Sequence, residues 1–164
     1  MQALVIDLRN NPGGRLDSVC DVLRQILPEG LIVYEEDKYG NREEETCNGR
    51  NRIDIPLAVL INAGSASASE IFAGAVKDYK VGTLVGETTY GKGIVQTIRS
   101  FTDGSAIKLT TSHYYTPLGN DIHGVGIEPD IKVSAESESP AGTEDSDDDP
   151  VLQKAVEILL SEKD

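Results

Sequence analysis

Two cysteines and two histidines are all that this 164-residue chain offers to a soft metal ion. Cys20 and Cys47 form no CxxC pair and stand near no histidine at ligand spacing, so a zinc centre is not expected. A single disulfide between them and two separate free thiols both fit the pattern. No stretch approaches 18 consecutive apolar residues, which removes a membrane-spanning helix. No basic segment leads into an apolar run at Met1, so the chain shows no export signal of its own. Met1 runs almost directly into a strand-like segment, an abrupt start that leads us to expect a fragment of a longer polypeptide.

Basic charge is also scarce. Fifteen Lys and Arg face 28 Asp and Glu, for a net charge of −13. Seven of those acids fall in residues 134–149, SAESESPAGTEDSDDD, which hold no basic residue. That run is read as a disordered linker, because it has too little apolar surface to offset its ordering entropy. It lacks the spaced glycine and terminal glutamate of a calcium loop. The remainder is mildly acidic, which argues against nucleic acid or an anionic membrane as a partner.

What remains is ordinary for a soluble globular protein: 38% hydrophobic and 26% charged residues, enough for one domain with a core. ALVIDL (3–8) and PLAVLIN (56–62) read as strands buried on both faces, and TLVGE (83–87) as a shorter one. Leu16, Val19, Leu23, Ile26 and Leu27 recur at helical spacing before Pro28-Glu29-Gly30. Ile71, Ala75 and Val76 mark one face of a second helix. Residues 31–46 read as a hairpin with Tyr39-Gly40-Asn41 at its tip, and the segments around Asp103-Gly104 as another. Residues 116–130 are punctuated by Gly and Pro as a loop, and VLQKAVEILL is a short amphipathic helix. Strands alternating with helices predict an α/β fold, its mainly parallel sheet carrying flanking helices and an antiparallel hairpin extension.

Two stretches concentrate chemistry. GETTYGKG (86–93) comes within one residue of the phosphate-cradling GxxxxGK[ST], with Gly93 in the last place. A phosphate loop must open a helix, whose N-terminal amides wrap the anion. Here IVQTIRSF follows, with the β-branched residues of a strand, and the magnesium-binding hydroxyl is missing. Nucleotide binding therefore fails on both requirements. In NAGSASASEIFAG (62–74), Ser67-x-x-Glu70 is a capping box. The interleaved Ser65, Ser67 and Ser69 at a strand-to-helix turn also fit a presented nucleophile. Both readings stand on residue chemistry alone. A nucleophile needs a base, and neither His113 nor His123 stands beside an acid in a recognisable pattern. Lys92, between two glycines after a buried strand, can serve if desolvation favours its neutral form; otherwise it is a solvated loop lysine.

LVIDLRNNPGG, VLINAGSASASEIFAGAVKDY, VGETTYGKGIVQT and YYTPLGNDIHGVGIEPD, in that order, closely resemble the carboxyl-terminal processing proteases, the tail-specific S41-type serine peptidases. The resemblance spans residues 3–133. It implies Ser67 as nucleophile, Lys92 as general base and Gln96 as the residue orienting the lysine. On a strand, positions 92 and 96 would share a side. It further implies an oxyanion hole from the amides of Ala68 and Gly13, and at most a supporting role for Asp78. The resemblance implies a ClpP/crotonase-like core, no metal or cofactor, and protein substrates with apolar, unstructured C-terminal ends. It places such enzymes outside the bacterial cytoplasm. Relatives of this kind carry a substrate-capturing PDZ module, which this sequence does not contain. The chain is thus expected to divide into a catalytic core (1–133), the acidic linker (134–150) and a C-terminal helix (151–164). The alternative is an inactive or purely ligand- or peptide-binding core of the same fold.

Overall fold

The computed structural model describes residues 1–134 and 149–161. The acidic run 135–148, most of the expected linker, lies outside the described residues. The elements follow in chain order as β1 (Leu4–Asp7), α1 (Leu16–Leu23), β2 (Glu29–Asp37), β3 (Arg42–Asn48), β4 (Leu57–Ile61) and α2 (Ala68–Tyr79). Then come β5 (Thr83–Gly86), β6 (Ile94–Ser100), β7 (Ala106–Tyr115), β8 (Ile131–Lys132) and α3 (Pro150–Ser161). They build two four-stranded sheets. One is parallel throughout, in the order β1-β4-β5-β8, and the other antiparallel, in the order β3-β2-β7-β6. The fold is α/β, as the alternation of elements predicts. The antiparallel part is larger than one hairpin, because β7 also pairs with β2, Tyr34 opposite Tyr115, across 80 residues of chain that no local signal connects.

Strand β4 explains why PLAVLIN is apolar at every position. Side chains alternate across a sheet, so Leu57, Val59 and Ile61 enter a core with α1, α2 and the β2–β3 hairpin. Ala58 and Leu60 enter a second core against Val151, Ala155 and Leu159 of α3. Strand β1 sends Leu4 and Ile6 to the first core and Val5 to the second. It is only partly buried, contrary to the expectation from its composition, because it lies at the sheet edge with one partner. Cys20 and Cys47 are free thiols buried in the first core. Burial pushes the Cys20 thiol up to about 11, which keeps it protonated and unreactive.

Helix α1 is shorter than its apolar spacing predicts. It ends at Leu23, and Ile26 and Leu27 reach the core from the turn that follows. Among the described residues no helix is long and apolar enough to cross a membrane, and no group of three or more His, Cys, Asp or Glu is placed to hold a metal. The parallel sheet matters most at the carboxyl ends of its strands, where loops of open α/β sheets form sites. The NNPGG turn follows β1, the serine cluster follows β4 and the GKG loop follows β5, so strands in register bring all three motifs to one end of the sheet.

Candidate active site

The three serines of the cluster are not equivalent. Ser65 is buried; its hydroxyl donates to the Leu8 carbonyl at 2.7 Å and accepts from the Asn62 amide at 3.0 Å. The Ser69 hydroxyl donates to the Asn11 carbonyl at 3.1 Å, beside the Ala66 amide at 3.0 Å on the same oxygen. Ser65 thus ties the helix entrance to the end of β1 and Ser69 ties it to the NNPGG turn. Ser67 stands between them, half-buried, at φ 57° and ψ −117°. A non-glycine residue with positive φ costs of the order of 1–3 kcal/mol and is found where a side chain must be aimed. Residue chemistry alone could not choose between a cap and a nucleophile; here the Ser67 hydroxyl faces the Glu70 amide as a capping box requires, yet among the described residues it donates to no acceptor, so its proton is available.

Both halves of the capping box are present, and the carboxylate does more than cap. Glu70 is fully buried. Its Oε2 accepts from the Ser67 amide at 2.9 Å and the Lys92 amide at 2.8 Å. Its Oε1 accepts from the Thr89 hydroxyl and the Gly91 amide, each at 2.6 Å. Ser67 and Lys92 thus donate to one oxygen atom, so their backbones cannot be further apart than two hydrogen bonds laid end to end. Among the described residues no cationic side chain pairs with this carboxylate. Four donors satisfy its two oxygens instead. The carboxylate fixes the GKG loop, which is held further by Tyr90 N–H to Ser65 O at 3.0 Å and Gly124 N–H to Gly91 O at 2.9 Å. At Gly93 a Cβ would come within 2.6 Å of the His123 nitrogen, so the second glycine of the motif marks a close backbone approach.

Gly13 lies against the serine turn. With φ +96°, a Cβ there would sit 2.6 Å from the Ala66 carbonyl oxygen and 2.8 Å from the Ala68 nitrogen. Gly13 and Ala68 are therefore neighbours across the turn, and Ala68 opens α2, where the first amide has no intrahelical acceptor. The Gly13 amide itself donates to Asn11 Oδ1 at 2.9 Å. Gly13→Ala is expected to lower kcat about a hundredfold, the scale of an ångström's misplacement at a reacting centre, and to lower the unfolding midpoint by about 5–10 °C, because the new Cβ meets backbone atoms and φ +96° is strained for alanine. Steady-state kinetics beside thermal denaturation checks it.

The remaining candidates lie apart. Lys92 is half-buried just before β6, and no hydrogen bond joins its ammonium to the Ser67 hydroxyl or to Gln96 among the described residues. Such nucleophile–base contacts are commonly long until a reactant closes them. Gln96 is exposed on β6, and Lys92 precedes the strand, so alternation along β6 does not govern the pair. Asp78, near the other end of α2, accepts from the Leu118 amide at 2.8 Å and anchors the loop after β7. Glu70 and Thr89 are the residues that motif reading missed. The available signal was a lone carboxylate in the apolar segment 68–76, which the capping box seemed to account for.

A family model described as "Peptidase family S41" matches residues 1–133. The chain is 47% identical over 161 residues to a carboxyl-terminal-processing protease of Synechocystis sp., covering 94% of this chain and 36% of that protein. It is 44% identical over 135 residues to a chloroplastic C-terminal processing peptidase of Tetradesmus obliquus, covering 81% of this chain and 29% of that one. Among solved structures, a photosystem II D1 C-terminal processing protease superposes with a TM-score of 0.77 at 43% identity, over 83% of this chain and 36% of that one. The chain thus spans about a third of the length of these relatives.

Proposed function

Because the chain belongs to peptidase family S41, we propose that it is the catalytic core of a serine endopeptidase working through Ser67 and Lys92. The observation that carries this reading is the pairing at Glu70. One buried carboxylate oxygen binds the backbone of Ser67, the serine of the cluster whose hydroxyl donates to no acceptor among the described residues, and the backbone of the loop lysine. Neutral Lys92 takes the Ser67 hydroxyl proton as Oγ attacks the carbonyl carbon of a peptide bond. The carbonyl oxygen becomes an oxyanion held by the Ala68 amide and by the Gly13 amide, which exchanges the Asn11 side chain for it. Collapse passes the proton from Lys92 to the leaving amine and leaves an acyl-enzyme. Water, deprotonated by Lys92, then releases the acid and restores Ser67. Gln96 turns toward Lys92 in the productive state. Asp78 supports the site by holding the 116–120 loop.

The substrates are proteins with apolar, unstructured C-terminal ends. A cavity of about 340 Å³ opens beside Gly13 and Ala68, with Ile6, Val19, Val22 and Phe72 among its walls. It takes an apolar side chain from the residue whose carbonyl is attacked. As the family resemblance implies, a PDZ module delivers such ends, and the enzyme works outside the cytoplasm. The chain divides as core, linker and C-terminal helix. The test of the reading is incubation with a serine-directed fluorophosphonate followed by peptide mapping. The expected result is one adduct, on Ser67; an unlabelled chain, or an adduct on Ser65 or Ser69, sinks it.

Val22 is half-exposed on α1, so a larger side chain there fills the cavity without disturbing the core. Val22→Phe is expected to cut kcat/KM about tenfold for peptides with Leu or Phe at the cleaved position and to leave Ala peptides nearly unchanged, within the discrimination that apolar pockets achieve. Competition between paired peptides measures that ratio.

A further inference from the structure

Arg9 precedes the NNPGG turn and is not accounted for by the chemistry at Ser67. Its guanidinium forks onto Asp149, Nη1 to Oδ1 at 2.9 Å and Nη2 to Oδ2 at 2.7 Å. The same group reaches Asp7 at the end of β1, Nε to Oδ1 at 3.0 Å and Nη2 to Oδ2 at 2.7 Å, while the Arg9 amide donates to Asp7 Oδ1 at 2.9 Å. Asp149 is also the cap of α3, for its Oδ1 accepts from the amides of Val151 at 3.1 Å and Leu152 at 3.0 Å. One carboxylate therefore joins the start of the C-terminal helix to the residue that leads into the turn.

The turn beyond Arg9 is held on its far side by the loop that carries the serine cluster. The Asn10 amide donates to Asn62 Oδ1 at 2.9 Å, and the Asn11 carbonyl accepts from Ala66 and Ser69. Arg9 anchors the near side. Asn10, the next residue, sits at φ 56°, and four residues after Arg9 comes Gly13, packed on Ala66 and Ala68. A guanidinium forked on two carboxylates is directionally rigid in a way a single contact is not. Without it, Arg9 can swing about the end of β1 and carry Asn10 with it.

We infer that Arg9 is a positioning residue and that its fork onto Asp149 couples docking of α3 on the parallel sheet to the geometry of the turn presenting Gly13. α3 is thereby part of the catalytic apparatus, although it lies on the opposite face of the sheet from α2. The inference rests on the peptidase reading for its kinetic consequence and on the geometry alone for the coupling.

The test uses Asp149→Asn, Arg9→Gln and the double variant. Asparagine caps a helix as well as aspartate, so Asp149→Asn removes the charged fork and keeps the α3 cap. Expected are faster amide hydrogen exchange at Asn10, Asn11, Gly13 and Gly14, unchanged protection within α3, and a fall in kcat of about tenfold with KM retained. Asp149→Asn should add little to Arg9→Gln, because the carboxylate acts through the guanidinium. Unchanged exchange in the turn, an unchanged kcat, or full additivity overturns the inference. If Asp149→Asn releases the helix, Arg9→Gln leaves the cap intact and decides the matter by the same criteria. A wild-type chain without peptidase activity refutes the peptidase reading instead, and the exchange comparison then still decides the coupling.

Discussion

Ser67→Ala and Lys92→Met are each expected to abolish cleavage of an unfolded protein with an apolar C-terminus, by about 10⁴-fold or more in kcat. The double variant should be hardly worse than either alone, since members of one catalytic unit are grossly non-additive. The unfolding midpoint should hold. Among the described residues the Ser67 hydroxyl donates to no acceptor, and Lys92 enters no ion pair. The controls are Ser65→Ala and Ser69→Ala. Each of those deletes a hydroxyl bond, Ser65 to the Leu8 carbonyl and Ser69 to the Asn11 carbonyl of the NNPGG turn, and each should cost stability of about 1 kcal/mol with only partial loss of activity. Equal cleavage by wild type, Ser67→Ala and Lys92→Met would show a contaminating enzyme and end the assignment. Loss in Ser67→Ala alone, with Lys92→Met active, would leave the nucleophile and remove the base.

Glu70→Ala should be the most damaging single change to both structure and activity. It leaves the amides of Ser67, Gly91 and Lys92 and the Thr89 hydroxyl without their acceptor inside the protein. Buried donors deprived of a partner cost about 1–3 kcal/mol each, partly recovered if water enters. A net loss of about 3–5 kcal/mol, the range for breaking a buried charged network, lowers the midpoint of a chain this size by about 10 °C. Glu70→Gln is informative because it is nearly isosteric. Each oxygen accepts two donors, so an amide nitrogen in either place meets two N–H or O–H groups. On the Oε1 side the Thr89 hydroxyl has no easy escape, because its oxygen already accepts from the Ile127 amide at 2.7 Å. Glu70→Gln should therefore lose most activity with only part of the stability loss, as the GKG loop drifts from the serine turn. Kinetics, thermal unfolding and exchange at Gly91 and Lys92 read these effects together. A Glu70→Gln enzyme with wild-type kcat would show that the shared carboxylate does not position the pair.

Much of this molecule was legible in linear order. The apolar run at 57–61 announces a strand buried on both faces, and Asp103-Gly104 announces a hairpin, because both signals are local and come from backbone and side-chain preferences within a few residues. The four motifs gave the family directly, and its model matches residues 1–133. The strand expected after the GKG loop, in place of the helix that a phosphate loop must open, is β6.

Other features depended on partners far along the chain. Which serine hydroxyl is left without an acceptor was decided by the Leu8 and Asn11 carbonyls, more than 50 residues from Ser65 and Ser69. Glu70 read as a helix cap in sequence, because only folding brings Gly91 and Lys92 onto the same carboxylate. Arg9 carried no signal at all, since Asp149 is 140 residues away. Sequence periodicity determined most of the elements, and the four motifs, by their resemblance to a known family, determined the family and named the candidate nucleophile and base. Only the tertiary structure decided which polar groups satisfy one another, because a buried donor takes whichever acceptor the packing of the sheet brings within reach.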